Sequence, residues 1–232
     1  MSTDLSTQPA SGLAPAAAAA SGLGVIWCDF GGVLTPPLDE AIAQIVEASG
    51  IPWSVLMEAA TRVAHDLDVT GLRPLELGLL SQAEWGARVE EALPSGTESQ
   101  VDLGRWDEYW YRDRPLNTEL LGELERLAKS GVRIGMLTNS VAEWEPHRAR
   151  MLTGVDVFEA WVRSHEIGLA KPDSLIFDYA DKQLAPLGAG VVLIDDISAN
   201  CSAAQAHGWT SVHHVSTAST IAQLRELMAN SR

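Results

Sequence analysis

The chain has 232 residues, 46% of them hydrophobic and 20% charged, enough for one large domain or for a core domain carrying a smaller insertion without disulfide support. Its 16 basic residues face 31 acidic ones, a net charge of −15 that repels a phosphate backbone and excludes general nucleic-acid binding. Cys28 and Cys201 cannot build a framework of bridges and read as reduced interior thiols, no apolar run approaches the roughly 20 residues of a bilayer span, and a cytoplasmic protein is expected.

Residues 1–24 are rich in Ser, Thr, Ala, Pro and Gly and carry no Lys or Arg, which argues for a solvated, disordered tail and against a secretory signal. From Val25 the character changes: Val25 to Cys28 is a short apolar run, a buried strand stopped by Asp29-Phe30-Gly31-Gly32. About eighty residues of helical pattern follow, at Leu38 to Ser49, Trp53 to His65, around Leu75 to Leu80, Gln82 to Leu93 and Asp102 to Asp113, punctuated by Pro and Gly. Asn117 is a good N-cap, and Leu120, Leu121, Leu124 and Leu127 lie on one face of a helix that stops at Gly131. Strands are then expected at Arg133 to Leu137, Ala160 to Arg163, Val191 to Ile194 and Thr210 to His214. Helices near Trp144 to Met151, Ser174 to Leu184, Ser198 to His207 and up to Met228 alternate with them. That alternation predicts an α/β fold: a Rossmann-like parallel sheet covered by helices, interrupted after its first strand by an all-helical insertion.

In an open parallel sheet, ligands bind outside the carboxyl ends of the strands. Asp29 follows the first strand, Thr138 the second, Lys171 lies in the loop after the third, and Asp195 and Asp196 close the fourth. Two adjacent carboxylates repel one another unless a cation sits beside them, and lysine occurs in this chain only at 129, 171 and 182. Together these residues describe a phosphoryl-transfer site. Asp29 attacks as nucleophile, Thr138 donates a hydrogen bond to phosphate, and Lys171 neutralises charge. Asp29, Asp195, Asp196 and the Gly31 carbonyl hold Mg²⁺.

These segments resemble the motifs of the haloacid dehalogenase-like hydrolases: Asp29-Phe30-Gly31-Gly32-Val33-Leu34-Thr35, then Leu137-Thr138-Asn139-Ser140, then Gly168-Leu169-Ala170-Lys171-Pro172-Asp173, then Leu193-Ile194-Asp195-Asp196 with Asn200. The resemblance runs from about Val25 to His214. It implies a core of residues 25–35 and 118–232, a helical cap over residues 36–117, and a small phosphorylated substrate contacted by Gly32, Asn139 and Ser140. It also exposes a departure, because the family's phosphatase pattern has a second Asp, the general acid and base, where this chain has Gly31. A cap residue then has to take over, with His65, Asp66, Asp68 and Glu40 as candidates, or the leaving group has to be good. The alternatives are a catalytically impaired domain that binds a phosphorylated ligand or partner, and, further off, a haloacid dehalogenase or phosphonate hydrolase.

Two other clusters carry two readings each. Trp106, Tyr109, Trp110 and Tyr111 with Arg105, Arg112 and Arg114 form either an aromatic, cationic wall for a sugar phosphate or packing between cap and core. Glu143 to Arg148 forms either a crevice rim or a helix start with Pro146 in its first turn. His213-His214 lacks the companions of a zinc site. Pro36-Pro37 and Arg114-Pro115 mark the two connections of the cap, with Gly31 and Gly32 free to absorb rotation on closure. Nothing in the sequence sets the oligomeric state.

Overall fold

The computed structural model describes residues 23–185 and 190–230, so the expected tail lies outside the described residues except for its last two positions. Those two belong to the first strand, β1 (Leu23–Cys28), in which Leu23 pairs with Gly190 across a register irregularity before Val25. The other strands are β2 (Arg133–Thr138), β3 (Ala160–Arg163), β4 (Gly190–Asp195) and β5 (Thr210–His213). All pair in parallel, in the order β3-β2-β1-β4-β5.

Strand alternation sorts the core into two layers. From β1, Ile26 and Cys28 face one side together with Val192 and Ile194 of β4. There they meet Leu120, Leu124 and Leu127 of helix α6 (Thr118–Lys129) and Leu224 of α11 (Thr217–Ala229). Val25 and Trp27 face the other side with Val191 and Leu193, against Ile176, Phe177 and Ala180 of α9 (Ser174–Gln183) and Ala204 of α10 (Ser198–His207). This is period-two burial on both faces, as a sheet covered twice requires. Gly135 is glycine for a local reason: a Cβ there would lie 2.4 Å from the Trp27 ring, which crosses it from the paired strand.

Between β1 and α6 come only helices among the described residues: α1 (Leu38–Ser49), α2 (Trp53–His65), α3 (Arg73–Glu76), α4 (Gln82–Ala92) and α5 (Asp107–Trp110). They have their own apolar cluster, which reaches Val141 and Trp144 of the sheet domain. The single helix expected over Asp102 to Asp113 is two short pieces, a 3-10 turn at Leu103–Arg105 and α5. The break falls at Trp106, whose ring stacks on Trp85 at 4.8 Å, so aromatic packing overrides helical continuity. Two further short helices, α7 (Glu145–Met151) and α8 (Ser164–Ile167), flank β3, and α8 was not anticipated.

The two connections of the insertion run side by side. The Arg114 guanidinium, buried beneath them, donates to Thr35 Oγ1 at 3.1 Å and to the carbonyls of Pro36 and Pro37. Asn117 closes the return, its N–H on the Leu34 carbonyl at 2.8 Å and its side-chain amide on Val33 O at 3.0 Å.

Candidate active site

β1 and β4 are neighbours, and their carboxyl ends deliver Asp29, Asp195 and Asp196 to one place, with carboxylate oxygens within 4.8 Å of one another. The Asp29 N–H continues the ladder to Ile194 O at 2.9 Å, which aims its side chain out of the sheet end. Lys171, from the loop after α8, is wholly buried and spans the carboxylates. Its Nζ lies 2.5 Å from Asp195 Oδ2 and 3.2 Å from Asp29 Oδ1, and donates to Leu137 O at 2.8 Å. Burial alone would lower the lysine, but the charges of Asp195 and Asp29 outweigh it and hold the ammonium above its ordinary pKa. Lys171 is therefore a fixed cation.

The three carboxylates are not equivalent. Asp195 has both oxygens committed, Oδ2 to Lys171 and Oδ1 to the Ile197 N–H and the Asn200 amide, each at 2.9 Å. Asp29 receives the Phe30 N–H at 2.7 Å and the lysine, both on Oδ1, which leaves Oδ2 uncommitted among the described contacts. Burial pushes the Asp29 carboxyl up, Lys171 opposing. Asp196 has a buried oxygen, Oδ1, with no hydrogen-bond partner among the described residues. Its pKa is pushed up to about 7, by burial first and then by the charges of Asp29 and Asp195. An unpartnered buried carboxylate oxygen facing two more carboxylates is what a hard divalent cation satisfies, so this donor set fits Mg²⁺.

Glycine shapes the same corner. Gly32 has φ +72°, and a Cβ on it would stand 2.1 Å from Asp196 Oδ2, so only glycine lets the two strand-end loops approach. Gly31 is different: its φ is not left-handed and a Cβ would meet only Leu38 Cδ2, at 3.3 Å. The position at which this chain departs from the family's phosphatase pattern is bordered by a leucine of α1.

Thr138, buried at the end of β2, makes a long hydroxyl contact to Asn139 O at 3.2 Å. The Asn139 side chain clamps the Lys171 backbone, donating to its carbonyl and accepting from its N–H, both at 2.9 Å. The Ser140 hydroxyl donates to Glu145 and accepts from Arg148, each at 2.5 Å, and its N–H is taken by Ser164 Oγ. The side chains of Asn139 and Ser140 thus make positioning contacts.

The aromatic cluster is packing: Trp106 and Trp110 are buried, Trp110 stacks on Trp144 at 5.1 Å, and Arg105 pairs with Glu108 at the surface. Glu143 to Arg148 is a docking strip for the insertion. Glu143 accepts the Gln82 N–H at 2.9 Å, Trp144 Nε1 donates to Gln82 Oε1 at 3.0 Å, and His147 meets Asp107 at 2.7 Å. The proposed replacement acids His65, Asp66, Asp68 and Glu40 are all exposed. Sequence reading missed Glu76, a partly buried carboxylate in α3 that feels the charges of both Lys171 and Asp29. A cavity of about 680 Å³ opens beside Asp196, lined by Gly32, Thr35, Asn117, His213 and Ser216 among others.

The molecule is thus an α/β protein on an open parallel sheet, with its charged cluster at the strand ends where such sheets bind their ligands. The chain belongs to the haloacid dehalogenase-like hydrolases, whose family model, described as "haloacid dehalogenase-like hydrolase", matches residues 24–208. Sesquiterpene phosphatase astK of Aspergillus oryzae is 32% identical over 111 residues, 48% of this chain and 55% of that protein. Pyrimidine 5'-nucleotidase YjjG of Escherichia coli (strain K12) is 30% identical over 111 residues, 43% of this chain and 49% of that protein. The matched stretch is thus about half the length of each of these curated relatives. A solved HAD family enzyme from Bacteroides thetaiotaomicron, in complex with magnesium and inorganic phosphate, superposes with a TM-score of 0.56 at 20% identity over 82% of this chain and 93% of that one. The 2-haloacid dehalogenase of Pseudomonas syringae pv. Tomato DC3000 superposes with a TM-score of 0.60 at 18% identity over 90% and 100%. These two structures share the fold.

Proposed function

We propose that the protein is a Mg²⁺-dependent phosphatase of a small phosphomonoester, acting through an aspartyl-phosphate on Asp29. The observation that carries this reading is the charge arrangement: three clustered carboxylates against one fixed ammonium, with one carboxylate oxygen buried and unpartnered. Metal-free dehalogenation has no use for that surplus. The names of the two curated relatives, a phosphatase and a 5'-nucleotidase, point the same way.

Asp29 Oδ2, the uncommitted oxygen, attacks phosphorus as the bond to the leaving oxygen breaks. Lys171 meets the charge on the transferring oxygens, and Thr138, tied only through a long contact, turns its hydroxyl toward phosphate. Asp195 holds Lys171 in place, which leaves Asp29, Asp196 and the Gly31 carbonyl as the groups that would hold the ion. When bound, Mg²⁺ supplies charge neutralisation for the phosphoryl oxygens. Residues 36–117 act as a cap that excludes water. Among the described residues no helix is long and apolar enough to cross a membrane, and both cysteines are free and buried.

Phosphate release from sugar phosphates, nucleotides and p-nitrophenyl phosphate, with Mg²⁺ or EDTA, tests the reading. Asp29→Asn should lower turnover by at least about 10⁴-fold with the fold intact, and full activity in that variant overturns it. Gly31 favours one other reading, binding without turnover. Protection by phosphate against thermal unfolding, with no substrate consumed, would establish that reading instead.

A further inference from the structure

The phosphatase reading leaves a chemical gap that the structure fills from the insertion. With glycine at position 31 bordered by Leu38, the loop after Asp29 has no group to protonate a leaving alkoxide. We propose that Glu76 of α3 is the general acid and base of this enzyme, delivered to the strand-end crevice by the cap and held there by Arg73.

Three observations place it. Arg73, one turn earlier, contacts the Glu76 carboxylate at 3.1 Å and donates through its other terminal nitrogen to the main-chain carbonyl of Lys171. The carboxylate is thereby tied to the peptide of the residue that bridges Asp29 and Asp195. The segment is also pressed onto the core just downstream: Gly78, at φ +66°, approaches so closely that a Cβ would stand 2.7 Å from the His165 carbonyl oxygen. Finally, Glu76 is partly buried, and the charged groups acting on it are Arg73, Lys171 and Asp29. Burial raises its pKa above the ordinary glutamate value against the pull of the two cations, which favours the acid form needed for the first step.

The chemistry balances. As Asp29 Oδ2 forms its bond to phosphorus, the ester P–O bond breaks and the Glu76 carboxylic acid gives its proton to the departing oxygen, yielding the alcohol. The resulting carboxylate is stabilised by Arg73. It then takes a proton from water as that water's oxygen attacks phosphorus, and the Asp29 O–P bond breaks to return free Asp29, inorganic phosphate and protonated Glu76.

This inference rests on the phosphatase reading, and leaving-group dependence separates the two. Glu76→Gln should lose about 10²- to 10³-fold on an alkyl phosphate such as glycerol phosphate. On p-nitrophenyl phosphate, whose leaving group departs unprotonated, it should instead give a burst of one nitrophenolate per enzyme followed by slow turnover. Gly31→Asp added to Glu76→Gln should restore alkyl-phosphate turnover by about tenfold or more. Wild-type turnover of the alkyl phosphate by Glu76→Gln overturns the proposal, as does an equal loss on both substrates without a burst. A wild-type enzyme that releases phosphate from neither substrate removes the phosphatase reading itself, and this proposal with it.

Discussion

At the strand ends Asp29, Lys171, Asp195 and Asp196 crowd into a largely buried space where every contact involves charge. The insertion joins its helices through a pile of tryptophans and, apart from the partly buried Arg73–Glu76 pair, keeps its internal ion pairs such as Arg62–Glu58 at the surface. The difference teaches where precision is expensive. Charges in low dielectric gain or lose several kcal/mol with their partners, so the crevice tolerates few arrangements. Apolar packing tolerates exchanges that keep side-chain volume, so the interior of the insertion can change with less loss.

The sharpest way to break that contrast is to remove the shared cation. Lys171→Met leaves Asp195 buried without its strongest partner and Asp29 without its counter-charge, and should cost about 4–5 kcal/mol, the upper end for a broken buried pair. Chemical denaturation measures it, and a loss under about 1 kcal/mol would mean that the carboxylates do not need the lysine. Trp106→Ala removes the ring that packs on Trp85, Trp110 and Trp144, and should cost about 3 kcal/mol by cavity formation. Hydrogen exchange should then rise across α1 to α5 while β1, β2 and β4 stay protected; uniform loss over the whole chain would show one cooperative unit instead of two.

A third comparison sets the carboxylates against each other. Mg²⁺ at about 100 times its dissociation constant should stabilise the wild type by about 2.7 kcal/mol. Asp196→Asn should abolish most of that shift and stabilise the metal-free protein, because the buried charge and its repulsion from Asp29 and Asp195 are removed. An equal Mg²⁺ shift in both proteins would move the ion elsewhere.

The same division explains how much could be read beforehand. Asp29, Thr138, Asp195 and Asp196 stood out in the sequence because each ends or directly follows an apolar strand, and Lys171 because lysine is rare in this chain and it falls in the loop region after the third strand; parallel-sheet topology converts strand ends into one place. Glu76 was invisible. It lies in a four-residue helix with no period to detect, in a segment read as starting at Leu75, and its position depends on Arg73 reaching Lys171 and on Gly78 touching His165. Trp106 misled for a related reason: helical spacing ran through it, whereas stacking on Trp85 ends the turn there. Ser140 lay in the right loop, but the partners of its hydroxyl, Glu145 and Arg148, come from α7, and no local pattern announces them.

The smallest effect sharpens the contrast from outside the crevice. Glu123 of α6 is buried yet flanked by Arg126 of its own helix and Arg225 of α11, with contacts of 2.6 to 3.1 Å. Hydrogen bonds from Arg126 hold its carboxyl down at about 2, against the burial that would raise it, with Arg225 assisting. A carboxyl whose folded pKa lies below its unfolded value contributes stability above the unfolded pKa and loses it as pH falls through the folded one. This tie between helices should therefore be complete at neutral pH and fade between about pH 4.5 and pH 2. Both arginines are half-exposed, so screening limits the contribution to about 1–2 kcal/mol. Glu123→Gln should lower stability by that amount at pH 7 and flatten its dependence in the acid window, while leaving phosphate release untouched. A loss of turnover in this variant would show that the crevice is coupled to the α6–α11 tie on one face of the sheet and does not depend on its own charges alone.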